Sequence, residues 1–280
     1  MQQTALAAAI VPAMIALATP TGSGYGKWNF KLDGGLVYHV IQVETNLNVK
    51  GTLAKATIDI GGTPVAEASG EYLEMLNKAL SKTETAGIID LDLAKFECRS
   101  PRGIYQTSLA TSIYDDVTLT LDFGTKDASD PALLSVSGSA YVSENPAANV
   151  VGGGRKYLPS LYEVSIFATS AGKLTYAYPN GSVRESVQRM VFDESEVSIS
   201  NVIVKRGKKV IREMSRASID HGLKRYGGYT LQPNKLILDF IVFGFGFNDA
   251  LTTEGLNFEF QVDGVGAIKT MIDGFEQVAI

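Results

Sequence analysis

The chain has 280 residues, room for two domains, and its 25 lysines and arginines against 30 aspartates and glutamates give a net charge of −5 that argues against a nucleic-acid groove. A single cysteine, Cys98, excludes an intrachain disulfide, and two histidines, His39 and His221, are too few for a conventional zinc site. Serine, threonine, valine, isoleucine and glycine are plentiful and apolar residues alternate with polar ones, so the chain reads as mostly β with short helices.

Residues 1–24 form an apolar arm, with Leu6, Ile10, Val11, Met14, Ile15 and Leu17 as its contact residues. The arm has no lysine or arginine before Lys27, unlike a secretory leader, and it is too short for a comfortable membrane span. A helix held against a partner or lying at a lipid surface is one reading, and an arm packed on its own domain is the other.

A first β-domain is expected over residues 25–149. Trp28, Phe30 and Leu32 alternate, a strand centres on Val40, and Leu53 to Ile60 is another that runs into the Gly61-Gly62 turn. Glu71 to Ser81 carries Tyr72, Leu73, Leu76 and Leu80 on one helical stripe. Strands follow at Ile88 to Leu93, Val117 to Phe123 and Leu134 to Val142. His39 falls inside a strand and reads as a packed or rim side chain.

Val150 to Lys156, containing Gly152, Gly153 and Gly154, reads as a glycine-rich linker over residues 150–156. A second domain is expected over 157–280. In it Ser182 and Glu185 have capping-box spacing, predicting a short helix with Val183, Val187, Met190 and Val191. Val197 to Val204 is a strand, Ser215 to Tyr226 a helix closed by Gly227-Gly228, and Lys235 to Phe243 a strand. Phe243, Phe245 and Phe247 alternate with Gly244 and Gly246, which points to close approach of another element, to a subunit contact or to tight packing within the domain. Ile268 to Ile280 has a loose helical pattern.

The halves repeat one another. Tyr38–Val43 matches Tyr162–Phe167, Thr57–Val65 matches Asn201–Ile211, and each half continues with a short helix and a strand, Ile88–Leu93 and Lys235–Ile241. Chemistry is scarce by comparison. Asp115-Asp116 and Asp193-Glu194, with Glu196, are carboxylates in turns with nothing in linear order to bring them together. No nucleophile elbow or Cys/His dyad occurs, so no enzyme and no cofactor is expected, and calcium has no regular loop to support it. The basic run Lys205-Arg206-Gly207-Lys208-Lys209, with Arg212, Arg216, Lys224 and Arg225, is either a solvated face or a contact to an acidic neighbouring subunit.

With the repeated β-units, their inserted helices and the apolar arm in place, the sequence resembles the double jelly-roll major capsid proteins of corticovirus-type tailless, membrane-containing marine bacteriophages. The resemblance rests on Tyr38–Val43, Ala56–Val65 with the helix to Leu80, and Gly87–Leu93, and on Tyr162–Phe167, Asn201–Tyr226 and Lys235–Phe243. It implies an all-β tandem jelly roll, two eight-stranded sandwiches with short inserted helices and an N-terminal helical arm. It also implies homotrimers that tile an icosahedral virion shell, assembled in the bacterial cytoplasm. The partners it implies are neighbouring trimers, a penton protein, and the internal membrane or minor membrane proteins, without direct nucleic-acid contact. The alternative from another class is a two-domain β-sandwich carbohydrate-binding or adhesion protein.

Overall fold

A computed structural model describes residues 12–179, 181–246 and 250–278. The first half contains β1 (Ala13–Ala16), β2 (Thr21–Gly22), β3 (Lys27–Leu32), β4 (Leu36–Thr45), β5 (Leu53–Ile60), β6 (Thr63–Ala68), α1 (Gly70–Ala79), β7 (Ile88–Asp92), α2 (Pro101–Tyr105), β8 (Leu109–Ala110), β9 (Val117–Phe123) and β10 (Val136–Glu144). The second contains β11 (Tyr157–Ala168), β12 (Gly172–Ala177), β13 (Glu185–Asp193), β14 (Ile199–Arg206), β15 (Lys209–Ser215), α3 (Arg216–Gly222), β16 (Lys235–Asp239), β17 (Leu251–Thr252), β18 (Leu256–Val262) and β19 (Gly266–Gln277).

Each half is a sandwich of two antiparallel sheets with the same strand order. In the first, β1-β10-β4-β7 faces β6-β5-β9-β3; in the second, β11-β19-β13-β16 faces β15-β14-β18-β12. The short strands β8 and β17 repeat too, pairing with β4 and β13 respectively. Alternating residues fill the sandwiches. Phe30, Leu32, Ile41, Val43, Leu119 and Leu121 pack the first, and Val202, Val204, Phe258, Phe260 and Ile272 pack the second. Phe192 meets Phe260 edge to face at 5.1 Å.

The inserted helices start alike. Ser69 caps α1 by accepting from the Tyr72 amide, and Ser215 caps α3 by accepting from the Ser218 amide. The α3 chain continues through a π-turn over Leu223–Gly227 and ends at Gly228, whose φ of +67° closes it as expected.

The halves join edge to edge. β6 and β11 run parallel with Ala66 opposite Leu161, so a sheet of the first half continues into one of the second, ten strands in all. Parallel pairing aligns the two sandwiches end for end. At one end the connections after β4, β6 and β9 are tied together through Thr45 with Gly87, Asn46 with Leu133, and Asn48 with Asp130. The other end holds the start of β1, the end of β19 and the segment between the halves.

Several expectations are corrected. The described part of the arm is not helical: Ala13–Ala16 is β1, the edge strand of the first sandwich, held to β10 with Ile15 packed against the core. Val187, Met190 and Val191 lie on β13, because this strand is buried on both faces and reads as an unbroken apolar run. Its capping-box spacing is used otherwise: Ser182 Oγ accepts from the Arg184 amide, and Glu185 accepts from the Tyr178 and Tyr162 hydroxyls. The tail is β19, a twelve-residue strand paired along its length with β11. The strand expected to reach Phe243 ends at Asp239, whose carboxylate accepts from the Ile241 amide and turns the chain.

Gly152, Gly153 and Gly154 form a fixed turn, with φ of +74°, +60° and +63°. Asn145 Nδ2 donates to the carbonyls of Thr111 and Gly153, each at 2.8 Å, and a Cβ on Gly153 would lie 2.6 Å from the Thr111 carbonyl carbon.

His39 is a packed residue. It is buried in β4 with Nδ1 3.0 Å from Ser108 Oγ, Nε2 2.9 Å from Ser143 Oγ, and its ring against Tyr105. Burial lowers its pKa from 6.5 to about 4. The unfolded chain therefore binds a proton that the folded chain refuses. That stability is complete above the unfolded value and is lost as pH falls from 6.5 to about 4, up to about 3 kcal/mol. Denaturant midpoints measured across that window should fall with the slope of one proton, and His39→Gln should flatten that slope.

Candidate functional site

The side chains that fix how the two halves sit together form a buried ionic cluster. α1 and the segment following β7 lie on the outward face of the sheet β11-β19-β13-β16. There Arg189, 1% exposed in mid-β13, reaches Glu97 Oε1 at 2.7 Å, Asp239 Oδ2 at 3.4 Å and Asp273 Oδ2 at 3.5 Å. Lys95 Nζ lies 2.5 Å from Asp273 Oδ2, and the Tyr229 hydroxyl donates to Asp239. Lys95 and Glu97 belong to the first half; Arg189, Tyr229, Asp239 and Asp273 belong to the second.

Electrostatics divides the carboxylates. Burial alone would raise Glu97, but Arg189, Lys82 and Lys95 outweigh it and hold the group at about 2. Asp239 is raised by burial, which Arg189 and the Tyr229 hydrogen bond only partly offset. Cys98, beside Glu97, is pushed up to about 11 by burial and the neighbouring carboxylates, which favours the thiol over the thiolate.

Backbone contacts extend the joint. The Thr230 amide donates to the Ala79 carbonyl at 2.7 Å, and the Arg99 amide to Gly244 at 2.8 Å. The phenylalanine–glycine stretch is explained here. A Cβ on Gly244 would sit 2.7 Å from Arg99 Cγ, and one on Gly246 2.8 Å from Gly103 Cα, so the close approach is between the two halves of one chain. Phe243 and Phe245 remain 42% and 55% exposed, and Phe243 packs on Tyr226 with centroids 5.0 Å apart. Phe247 lies outside the described residues, as do Leu6, Ile10 and Val11. Of the arm residues described, Ile15 and Leu17 pack on the core while Met14 points outward, 55% exposed.

The turn carboxylates stay apart. Asp115 pairs with Arg155, Asp116 with Lys31, Asp193 with Lys235, and Glu194 with Arg216, while Glu196 accepts from the Ala267 amide. No cluster of metal-ligating side chains occurs among the described residues. No helix among them is long and apolar enough to cross a membrane. The indole N–H of Trp28 donates to Gly24 O at 2.9 Å and its ring packs over Gly22.

The ionic cluster was missed in sequence, though a signal exists. Arg189, Asp239 and Asp273 each interrupt an apolar strand, and a charge so flanked is affordable only with a buried partner.

Residues 15–143 match the family model described as the viral coat protein P2 N-terminal domain, and residues 158–278 match the viral coat protein P2 C-terminal domain. Among solved structures, the major capsid protein P2 from bacteriophage PM2 superposes with a TM-score of 0.82 at 14% identity, over 96% of this chain and 98% of that one. A chain from the atomic structure of Sulfolobus turreted icosahedral virus superposes at 0.67 with 11% identity, over 95% and 91%. The capsid chain of the PBCV-1 virus gives 0.64 with 8% identity, over 95% and 93%. No curated protein matches.

The joint makes an ordered prediction. Arg189→Met leaves three carboxylates facing one another and should cost about 3–5 kcal/mol by denaturant unfolding. Asp239→Asn should cost less, because burial already moves that carboxyl toward its neutral form.

Proposed function

We propose a shell-building role on the premise that this chain belongs to the viral coat protein P2 family, both of whose domain models it matches in tandem. It is a structural capsid protein with a double jelly-roll fold. The observation that carries the finer reading is the parallel β6–β11 joint, which stands two equivalent sandwiches side by side with their ends aligned. Three such chains in a ring present six sandwiches, a pseudo-hexagonal tile able to pave an icosahedral virion around an internal membrane.

The end holding the start of β1 and the end of β19 is the one we assign to the interior. It exposes Ile113, Tyr114, Val150 and Val151 together, with the Ile113 amide bonded to Ala148 O, an apolar rim suited to lipid or to membrane proteins. The apolar residues Leu6, Ile10 and Val11 precede β1 in the sequence. Neighbouring trimers and a penton protein are the remaining partners, and Phe243 and Phe245 are contact residues toward another copy. A shell of many modest contacts holds firmly because engaging one raises the effective concentration of the next.

Light scattering on the purified chain should give a stable trimer of about 90 kDa, three chains of 30.0 kDa, that grows into larger assemblies. A strict monomer at every concentration, with and without calcium, overturns this reading.

A further inference from the structure

The internal repeat leaves one joint made and its counterpart unmade. In the first sandwich the flank between β6 and β7, beneath α1, is stopped by Leu161 of β11, and a space of only about 30 Å³ remains beside Ala66, Ala68, Leu73 and Leu91. The same flank of the second sandwich lies between β15 and β16, beneath α3. Among the described residues nothing stops it there, and a cleft of about 350 Å³ stays open, lined by Arg212, Met214, Ile219, Leu223 and Phe240 with Phe243 at its mouth.

The serine caps set the correspondence. Ala68 precedes Ser69 as Met214 precedes Ser215, so Ala66 corresponds to Arg212 and Leu73 to Ile219. Four residues beyond the strand ends Asp92 and Asp239 stand Phe96 and Phe243. The segment around Phe96 carries Lys95 and Glu97 onto the outward face of the second sandwich. Its counterpart touches the first half through Gly244 and Gly246 but leaves the Phe243 and Phe245 side chains exposed.

The strand that would stop the second cleft must match β11, the first strand of its half. That strand is β1. Met14 lies opposite Tyr141 on β10 as Leu161 lies opposite Asp273 on β19, and both side chains point away from their own core. β1 belongs to the far edge of the same chain's first half, so its outer edge is free for a different copy.

We propose that the cleft between β15 and β16 receives the β1 edge of a neighbouring copy, with Met14 entering between Met214 and Ile219 and β1 pairing parallel to β15. The proposal rests on the trimer reading and names its contact. Charge agrees with it. β1, β4, β7 and β10 carry no lysine or arginine and present Glu44 and Asp90, with Asp92 paired to Lys82, while on the cleft side Lys208, Lys209, Arg212, Lys224 and Arg225 outnumber Glu213 and Asp220, the latter paired to Arg216. A head-to-tail contact of this kind closes into a ring in which every sandwich meets the next by one kind of joint.

Cysteines at Met14 and Arg212, or at Met14 and Met214, test it by oxidation of the full chain and denaturing electrophoresis, beside light scattering of the same samples. The two pairings cover a two-residue shift in register. The expected result is a covalent ladder ending at the trimer for a double variant, and no ladder for Met14→Cys or Met214→Cys alone, which controls for Cys98. Met14→Cys with Lys173→Cys, on the far edge strand β12, should also stay uncoupled. A trimer by scattering with neither double variant linked overturns this contact and leaves the capsid reading standing; a monomer overturns both. Where cysteines perturb the strand, Met14→Asp supplies the second measurement, and it should raise the concentration needed for half-trimerisation at least about tenfold, the effect of about 1.4 kcal/mol. An unchanged trimer in Met14→Asp counts against the contact.

Discussion

A β-sandwich cannot be closed by its own two sheets: each ends in a strand whose amides and carbonyls need a partner, and the flank between sheets lays the core open. This chain meets the need by placing a second sandwich against the first. β11 continues the first half's sheet, Leu161 stops its flank, and α1 with the segment after β7 covers the second half's outward face. The ionic cluster around Arg189 follows from that contact. Side chains that would sit in water on a lone sandwich are buried when the halves meet, and each then needs a counter-charge close by.

Much of this was legible. The hairpin at Gly61-Gly62, the helix behind Ser69, the strand Ile88–Asp92 and their counterparts were all found at matching places, because turn chemistry, caps and alternation act locally. One correspondence was displaced: Tyr38–Val43 belongs to β4, whose equivalent is β13, not β11. The error came from β13 itself. Buried on both faces, it loses alternation, and a chance capping-box spacing made it resemble a helix. Removing it from the strand count shifted the repeat. The tail failed for the same reason, since Met271, Ile272, Asp273 and Phe275 are all buried on β19. The arm misled differently: alanine-rich Ala13–Ala16 has helical propensity, but the free edge of β10 outweighs it.

The glycines show where local reading stops. Gly152 to Gly154 suggest freedom in isolation, yet they allow a tight turn that Asn145 and Arg155 pin. Gly244 and Gly246 did signal close approach, and only the fold says to what. Whether a bare backbone faces another part of one chain or another chain is not written in a one-dimensional pattern.

The order of strands also governs how the molecule is made. β1 pairs with β10 and β11 with β19, so each half must bring its first and last strands together before it closes, which slows folding through long loops. Every strand of the first half is nonetheless present once β10 has left the ribosome, although its flank stays open until Leu161 of β11 arrives. On a first half still waiting for the second, Lys95 and Glu97 would face water, and charge on that surface disfavours premature association. The polar joint thus serves the nascent chain as well as the finished one, and an apolar seam of the same shape would hold the halves together while leaving the unfinished protein adhesive.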